Sequence, residues 1–191
     1  MKGVIATCLA GLVRDRFGQD KWEAALEDAG MDRHAIFFAT SQLDDATFMK
    51  IVMSVCKILK ITPLQSAEAF GEYWMNEYAP RIYGVYLQEA SSARELLLNM
   101  DKIHETVTST ISDSQPPRFD YEWTDSNTLL MQYNSHRGLI DFFVGLVKGV
   151  GTYFQEELVV NKLSDTEVEI VFPKEAPTSQ PTGPKQQNMI I

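Results

Sequence analysis

The residue order predicts an α+β fold: an N-terminal helical subdomain, then a C-terminal four-stranded antiparallel sheet packed with helices. Three observations carry that expectation. Apolar residues recur at helical spacing from residue 4 to residue 111. The period then switches to strict alternation at Phe119, Tyr121 and Trp123, and turns helical again only between residues 138 and 154. Two short β-prone runs, Leu158 to Val160 and Val168 to Phe172, close the chain's patterned part.

In order, Val4, Ile5, Cys8, Leu9, Leu12 and Val13 form a helical stripe that stops at Gly18. Asp20-Lys21-Trp22-Glu23 has the form of a capping box opening a short helix that ends near Gly30. Residues 31–43 show no period. From Asp44 or Asp45 a helix carries Phe48, Ile51, Val52, Val55, Ile58 and Leu59 on one side. Thr62-Pro63-Leu64-Gln65 supplies a cap, a proline at the first helical position and a glutamine at the third. The helix it opens holds Phe70, Tyr73 and Trp74, and Pro80 interrupts it or starts another. Ser92-Ala93-Arg94-Glu95 is a further capping box, opening a helix with Leu97, Met100, Ile103, Val107 and Ile111 as its stripe. Ser112 to Pro117 breaks that helix. Two strands around a turn at Asp125-Ser126-Asn127 make a hairpin, and a helix rich in Phe142, Phe143, Leu146 and Val147 follows. Residues 1–173 read as one domain, and 174–191, dominated by Pro, Gln, Ser, Thr and Lys, as a disordered tail.

Composition narrows the function. A formal net charge of -9 is wrong for a partner built of phosphates, which excludes nucleic acid. No apolar run is long enough for a membrane span. Cys8 and Cys56 both lie in helical apolar patterns and read as reduced buried thiols of a cytoplasmic protein.

Two places carry chemistry. Tyr133, Ser135 and Arg137 alternate at the end of a strand, so two hydroxyls and a guanidinium project together, with a helix N-terminus from about Gly138 beside them. Such a cluster suits a rigidly held carboxylate or phosphate. Its bland reading is an Arg137 surface ion pair with Ser135 as a cap. The second place is His104, in the middle of an apolar stripe. An imidazole there is either hydrogen-bonded core or a ligand. No second His, Cys or carboxylate stands at ligand spacing, so a zinc site or non-haem iron triad is poorly supported. A metal that brings most of its own ligands, as haem does, needs only one protein donor.

His104, then Pro116-Pro117-Arg118, then Tyr133-x-Ser135-x-Arg137, with Met1-Lys2-Gly3 at the start, resembles the haem nitric oxide/oxygen-binding (H-NOX) family over residues 1–173. The resemblance implies haem b (iron protoporphyrin IX) between the two parts of the fold. His104 would be the iron ligand, Tyr133, Ser135 and Arg137 the holders of the propionates, and Pro117 a residue pressing on the macrocycle. Ile5, Leu9, Trp74, Phe142 and Leu146 would form the distal wall. Relatives that retain dioxygen carry a tyrosine where this chain has Phe142, so the expected ligands are nitric oxide and carbon monoxide. The expected role is sensing without catalysis, with a histidine kinase, a cyclic-dinucleotide enzyme or a chemotaxis receptor as signalling partner. Three alternatives stand beside it: an oxygen-binding haem sensor, a peroxidase-type haem enzyme and a haem-free interaction module. A peroxidase needs a distal acid–base group, which this wall lacks.

Overall fold

The computed structural model describes residues 2–109 and 115–173. The stripe's expected continuation to Ile111, the start of the break at Ser112 and the 174–191 tail lie outside the described residues. The fold is α+β, as expected. Helices α1 (Gly3–Phe17), α2 (Gln19–Asp28), α3 (Asp45–Leu59) and α4 (Pro63–Tyr73) build the N-terminal part. A π-helical turn, Trp74–Tyr78, runs into α5 (Ala79–Glu89), then α6 (Ala93–Leu98) and α7 (Met100–Thr108). Strands β1 (Arg118–Trp123), β2 (Thr128–Asn134), β3 (Val159–Lys162) and β4 (Glu167–Val171), with α8 (Ile140–Phe154) between β2 and β3, complete it. The sheet is antiparallel in the order β1-β2-β4-β3.

Local chemistry sets most boundaries. Asp44 caps α3 by accepting from the Thr47 amide at 2.9 Å. Thr62 and Gln65 form the reciprocal capping box expected for α4. The box expected at Asp20 is absent: α2 starts one residue earlier, with Gly18 at its cap and φ of 100°. Glu23 is drawn off instead to Gln19 and Arg33. At α6 the Ser92 hydroxyl accepts from the Glu95 amide, but the Glu95 carboxylate reaches Ser91 rather than Ser92.

The largest departure is in the segment that carries His104. It is two short helices, α6 and α7, broken at Asn99, rather than one long helix. The two pieces are held by different contacts, those of α6 being the more numerous away from β1. The Arg94 guanidinium lies 4.8 Å from the Trp123 ring centre and 5.0 Å from that of Phe172. It also donates to the Ser126 carbonyl at 3.0 Å, and the Ala93 amide donates to Glu156. None of the residues of α7 is fully buried.

Two apolar cores result. The first lies among α1 to α4 and takes Phe142 from α8; the second lies between the sheet and α6 and α8, and takes Ile140, Phe143, Val144 and Val147. Trp74 and Leu139 pack against both. Helix α8 can serve both cores because it crosses α4 at backbone contact. A Cβ on Gly71 would lie 2.0 Å from the Gly145 carbonyl, and one on Gly145 would lie 2.1 Å from the Ala67 carbonyl oxygen. Gly71→Ala or Gly145→Ala should therefore destabilise the fold by about 1–3 kcal/mol, the range for overpacking. Gly84→Ala, in α5 with nothing within 4 Å, should be neutral or stabilise by up to about 1 kcal/mol through helix propensity. Urea unfolding monitored by circular dichroism checks both, and equal midpoints would contradict this account of the crossing.

Candidate functional site

The site residues fall into two groups, one on each core. On the second core, α7 presents His104 toward β1. Its Nδ1 is 3.3 Å from the Pro117 carbonyl oxygen, and its ring centre is 5.6 Å from that of Phe119. A carbonyl can only accept, so this bond fixes the proton on Nδ1 and leaves the Nε2 lone pair bare. No hydrogen bond to Nε2 occurs among the described residues. Burial pushes the His104 pKa down, outweighing the pull of the Pro117 carbonyl, so the ring is held neutral. A neutral imidazole with one nitrogen oriented and the other free is the form in which histidine ligates iron.

Behind His104 lies an aromatic slab. Phe119 stacks on Phe143 at 5.0 Å, and Phe143 on Tyr133 at 5.4 Å. Burial raises the Tyr133 pKa, keeping its phenol protonated and able to donate, while Ser135 lies close enough to lower it in part. Strand β2 ends at Asn134, so Ser135 and Arg137 meet Tyr133 through a turn and not through strand alternation. In that turn Ser135 Oγ accepts from the Arg137 amide at 3.3 Å, and Gly138 takes φ of 63°. Helix α8 begins at Ile140, two residues later than expected, with Asp141 in its first turn. The Arg137 side chain is 15% exposed; its Nε donates to Asp45 at 3.0 Å and its Nη1 to the Gln115 carbonyl. Sequence reasoning did not anticipate Asp45, which stands 92 positions away.

On the first core, Leu9 and Phe142 are buried and Ile5, Trp74 and Leu146 pack against them. The Phe142 ring centre lies 5.2 Å from Phe70 and 5.9 Å from Phe48. Trp74 is stacked between Phe70 at 5.9 Å and Tyr78 at 5.4 Å, held there by the π-helical turn. The protons of the neighbouring hydroxyls can be counted. Thr7 donates to the Val4 carbonyl at 2.9 Å, so the 2.6 Å contact between Thr7 Oγ1 and the Tyr78 hydroxyl must be donated by Tyr78. Tyr78 has thereby used its only proton. The Trp74 indole N–H has no hydrogen-bond partner among the described residues.

Two more groups were missed. Asp101, three residues before His104 and hence on its helix face, takes both Arg118 Nε at 2.8 Å and Nη2 at 2.6 Å. It accepts the Phe119 amide as well, at 3.1 Å, and the Arg118 hydrogen bonds hold its carboxyl below the usual range. The Tyr121 hydroxyl accepts from the Asp101 amide at 3.3 Å. Asp101 thus ties helix α7 to β1 one turn from His104. An acid three residues before the histidine was the available signal; its partner on β1 could not be read. Two surface clefts, one lined by Met49 and Met53 of α3 and one beside Lys148 and Gln155, share no residue with either group.

The donor set suits haem: one neutral nitrogen with a bare lone pair, aromatic and aliphatic walls, and a hydroxyl–guanidinium cluster for carboxylates. Among the described residues no three His, Cys, Asp or Glu side chains are grouped to hold a metal ion by themselves.

The haem-NO-binding family model matches residues 2–162. Two soluble guanylate cyclases of Caenorhabditis elegans, gcy-32 and gcy-34, are 28% and 27% identical over 155 residues, 78% of this chain. The chain spans 22% of the length of these relatives. The crystal structure of an oxygen-binding H-NOX domain related to soluble guanylate cyclases superimposes with a TM-score of 0.78 at 22% identity, over 91% of this chain and 96% of that one. An Fe(II) unliganded H-NOX mutant from K. algicida gives 0.78 at 21% identity, over 92% and 98%. These last two are likenesses of fold.

The neutral His104 makes a prediction for the haem-free protein. A base that binds its proton less readily folded than unfolded removes stability as pH falls below its unfolded value, near 6.5, and has no effect well above it. Unfolding free energies at pH 7.5 and 5.5 should therefore differ more for the unmodified chain than for His104→Leu. Identical differences would mean that His104 is not held neutral by burial.

Proposed function

As the chain belongs to the haem-NO-binding family, haem-binding gas sensors related to soluble guanylate cyclase, we propose that it holds haem b through His104 and senses nitric oxide or carbon monoxide without catalysing a reaction. The observation that carries the reading is the His104 imidazole, its Nδ1 proton committed to Pro117 and its Nε2 bare. Bound haem supplies the ferrous centre that takes up a diatomic gas; the rest is the work of the chain's own residues. Residues 1–173 make up the sensor domain in this reading.

Tyr133, Ser135 and Arg137 hold the propionates. The Asp45 and Gln115 bonds keep the guanidinium oriented, and Nη2 remains to donate. Pro117 positions His104 through its carbonyl and stiffens the approach to β1. Ile5, Leu9, Phe142 and Leu146 offer no donor, and Tyr78 has spent its proton on Thr7. Dioxygen gathers negative charge when it binds ferrous iron and is retained by a nearby donor; nitric oxide needs no such help. One hydrogen bond to a charged acceptor contributes about 1.5–3 kcal/mol, roughly one to two orders of magnitude in affinity. Trp74, with its free N–H, is the one residue of the wall that can work against this selectivity.

Signalling follows from the mechanics of α7. Helix α6 is fixed by Arg94 and Glu156, whereas α7 beyond Asn99 has no fully buried residue and is joined to β1 through Asp101 and Arg118. Release of His104 would leave α7 free to turn about Asn99, and the Asp101–Arg118 pair would pass the movement to β1. Ligand binding then favours one of two arrangements, which a signalling partner reads.

Reduced protein should show a changed absorption spectrum with nitric oxide and with carbon monoxide, and no stable oxy spectrum in air. His104→Gly should lose haem unless imidazole is supplied. A stable oxy spectrum in air would overturn the nitric-oxide reading, and Trp74→Phe would then identify the donor. Arg137→Ala should speed haem transfer to an acceptor protein by about one to two orders of magnitude, since charge-assisted bonds are lost. Arg33→Ala, whose side chain pairs with Glu23 and Glu27 on the first part of the fold, should leave that rate unchanged. Equal rates in the two variants would remove the propionate assignment.

A further inference from the structure

The inner face of the sheet is accounted for: Phe119, Met131, Tyr133, Val168 and Ile170 lie in the second core. The outer face is not. The register puts Glu122 opposite Leu130 and Leu130 opposite Glu169; in the next row on that face Asp120 faces Gln132, which faces Glu167. Farther along, Val171 lies opposite Val159, which is 53% exposed. Leu130 and Val171 are half-buried, yet they pack against neither core. An apolar diagonal of Leu130, Val171 and Val159, with Thr128 opposite Val171, therefore shares this face with four carboxylates. Strand spacing separates Glu122 from Glu169 by about 10 Å across Leu130, and Glu167 from Glu169 by about 7 Å along β4.

These carboxylates have polar neighbours but no counter-charge. Asp120 accepts from Asn134 at 2.8 Å and Glu169 from Asn161 at 2.9 Å. Among the described residues no lysine or arginine pairs with any of the four; Arg118 is taken by Asp101, and Lys162 by Asp141 and Asp165. Like charges gathered around exposed apolar groups are unfavourable until cations approach.

We propose that this face docks a protein partner through a segment that sets Lys or Arg side chains around an apolar ridge. Nucleic acid and anionic lipid surfaces are repelled by the same carboxylates, and so is the same face of a second copy. The face measures roughly 15 by 20 Å from strand spacing and rise, well below the area of a standard stable interface. Docking is therefore weak, salt-sensitive and readily switched. It is also connected to the site. Strand β1 starts directly after Pro117, whose carbonyl holds His104, and Arg118 grips Asp101 on α7. That connection rests on the sensor reading; the docking itself does not.

The test uses the haem-loaded full chain, a short fluorescent amphipathic Lys/Leu peptide and its Glu/Leu counterpart. The Lys/Leu peptide should bind at low salt, weaken as salt rises, and protect β1, β2 and β4 amides from hydrogen exchange. Glu122→Lys/Glu169→Lys should weaken it at least about tenfold, against less than about twofold for Glu89→Lys/Glu27→Lys, on α5 and α2. Equal losses in the two double variants, or protection mapped elsewhere, would overturn the docking surface. So would absence of binding in a protein with a normal nitric-oxide spectrum. Retained binding on this face in a protein whose spectrum ignores nitric oxide would support the surface and sink the sensor reading.

Discussion

Two helices crossing at backbone contact set the frame for everything else. With Gly71, Gly145 and Gly149 at the crossing, α4 and α8 approach so closely that a single added methyl group would overlap a carbonyl. The approach lets one helix serve two cores, Phe142 facing the first and Phe143 the second. It also delivers the end of α4, and hence the π-helical turn with Trp74, to the boundary between them. Small residues cost helix propensity, about 1 kcal/mol for each glycine relative to alanine. That cost is offset by the packing that the close crossing permits along the rest of both helices.

Within that frame the His104 element is held with a deliberate imbalance. Arg94, set between Trp123 and Phe172, fixes α6 to the sheet. Helix α7 has no fully buried residue and depends on Asp101, Arg118 and Tyr121 for its place. Exposed ion pairs contribute little individually, so α7 is the element that a change at His104 can displace most easily.

The two sides of α8 differ in chemistry as well as position. The His104 side gathers the polar groups: a protonated Tyr133, Ser135 and an Arg137 fork held in place by Asp45 and Gln115. The Phe142 side is apolar, and the Tyr78 hydroxyl beside Trp74 is consumed by Thr7 and through it by Val4. The polar groups thus lie on one edge, and the opposite face is apolar. The indole of Trp74 stands as the exception to that rule.

What the sequence determined by itself was local or periodic. The change from helical to alternating period at Phe119 fixed the α+β class, and Thr62-Pro63-Leu64-Gln65 fixed the start of α4 through atoms three residues apart. His104 and Tyr133-x-Ser135-x-Arg137 were legible because isolated polar groups in apolar surroundings need a partner. Where two partners competed, sequence reading failed. Glu23 could cap α2 or pair with Arg33, and the fold placed Arg33 beside it. Ser135 and Arg137 could alternate on a strand or meet in a turn, and Gly138 with its positive φ decided for the turn. Only the tertiary structure decided that Arg137 meets Asp45, that Tyr78 meets Thr7 and that the helix of His104 breaks at Asn99. The physical reason is common to all three. Each depends on contacts between segments far apart in the chain, and a side chain's hydrogen-bonding capacity does not record which of the distant groups folding will bring to it.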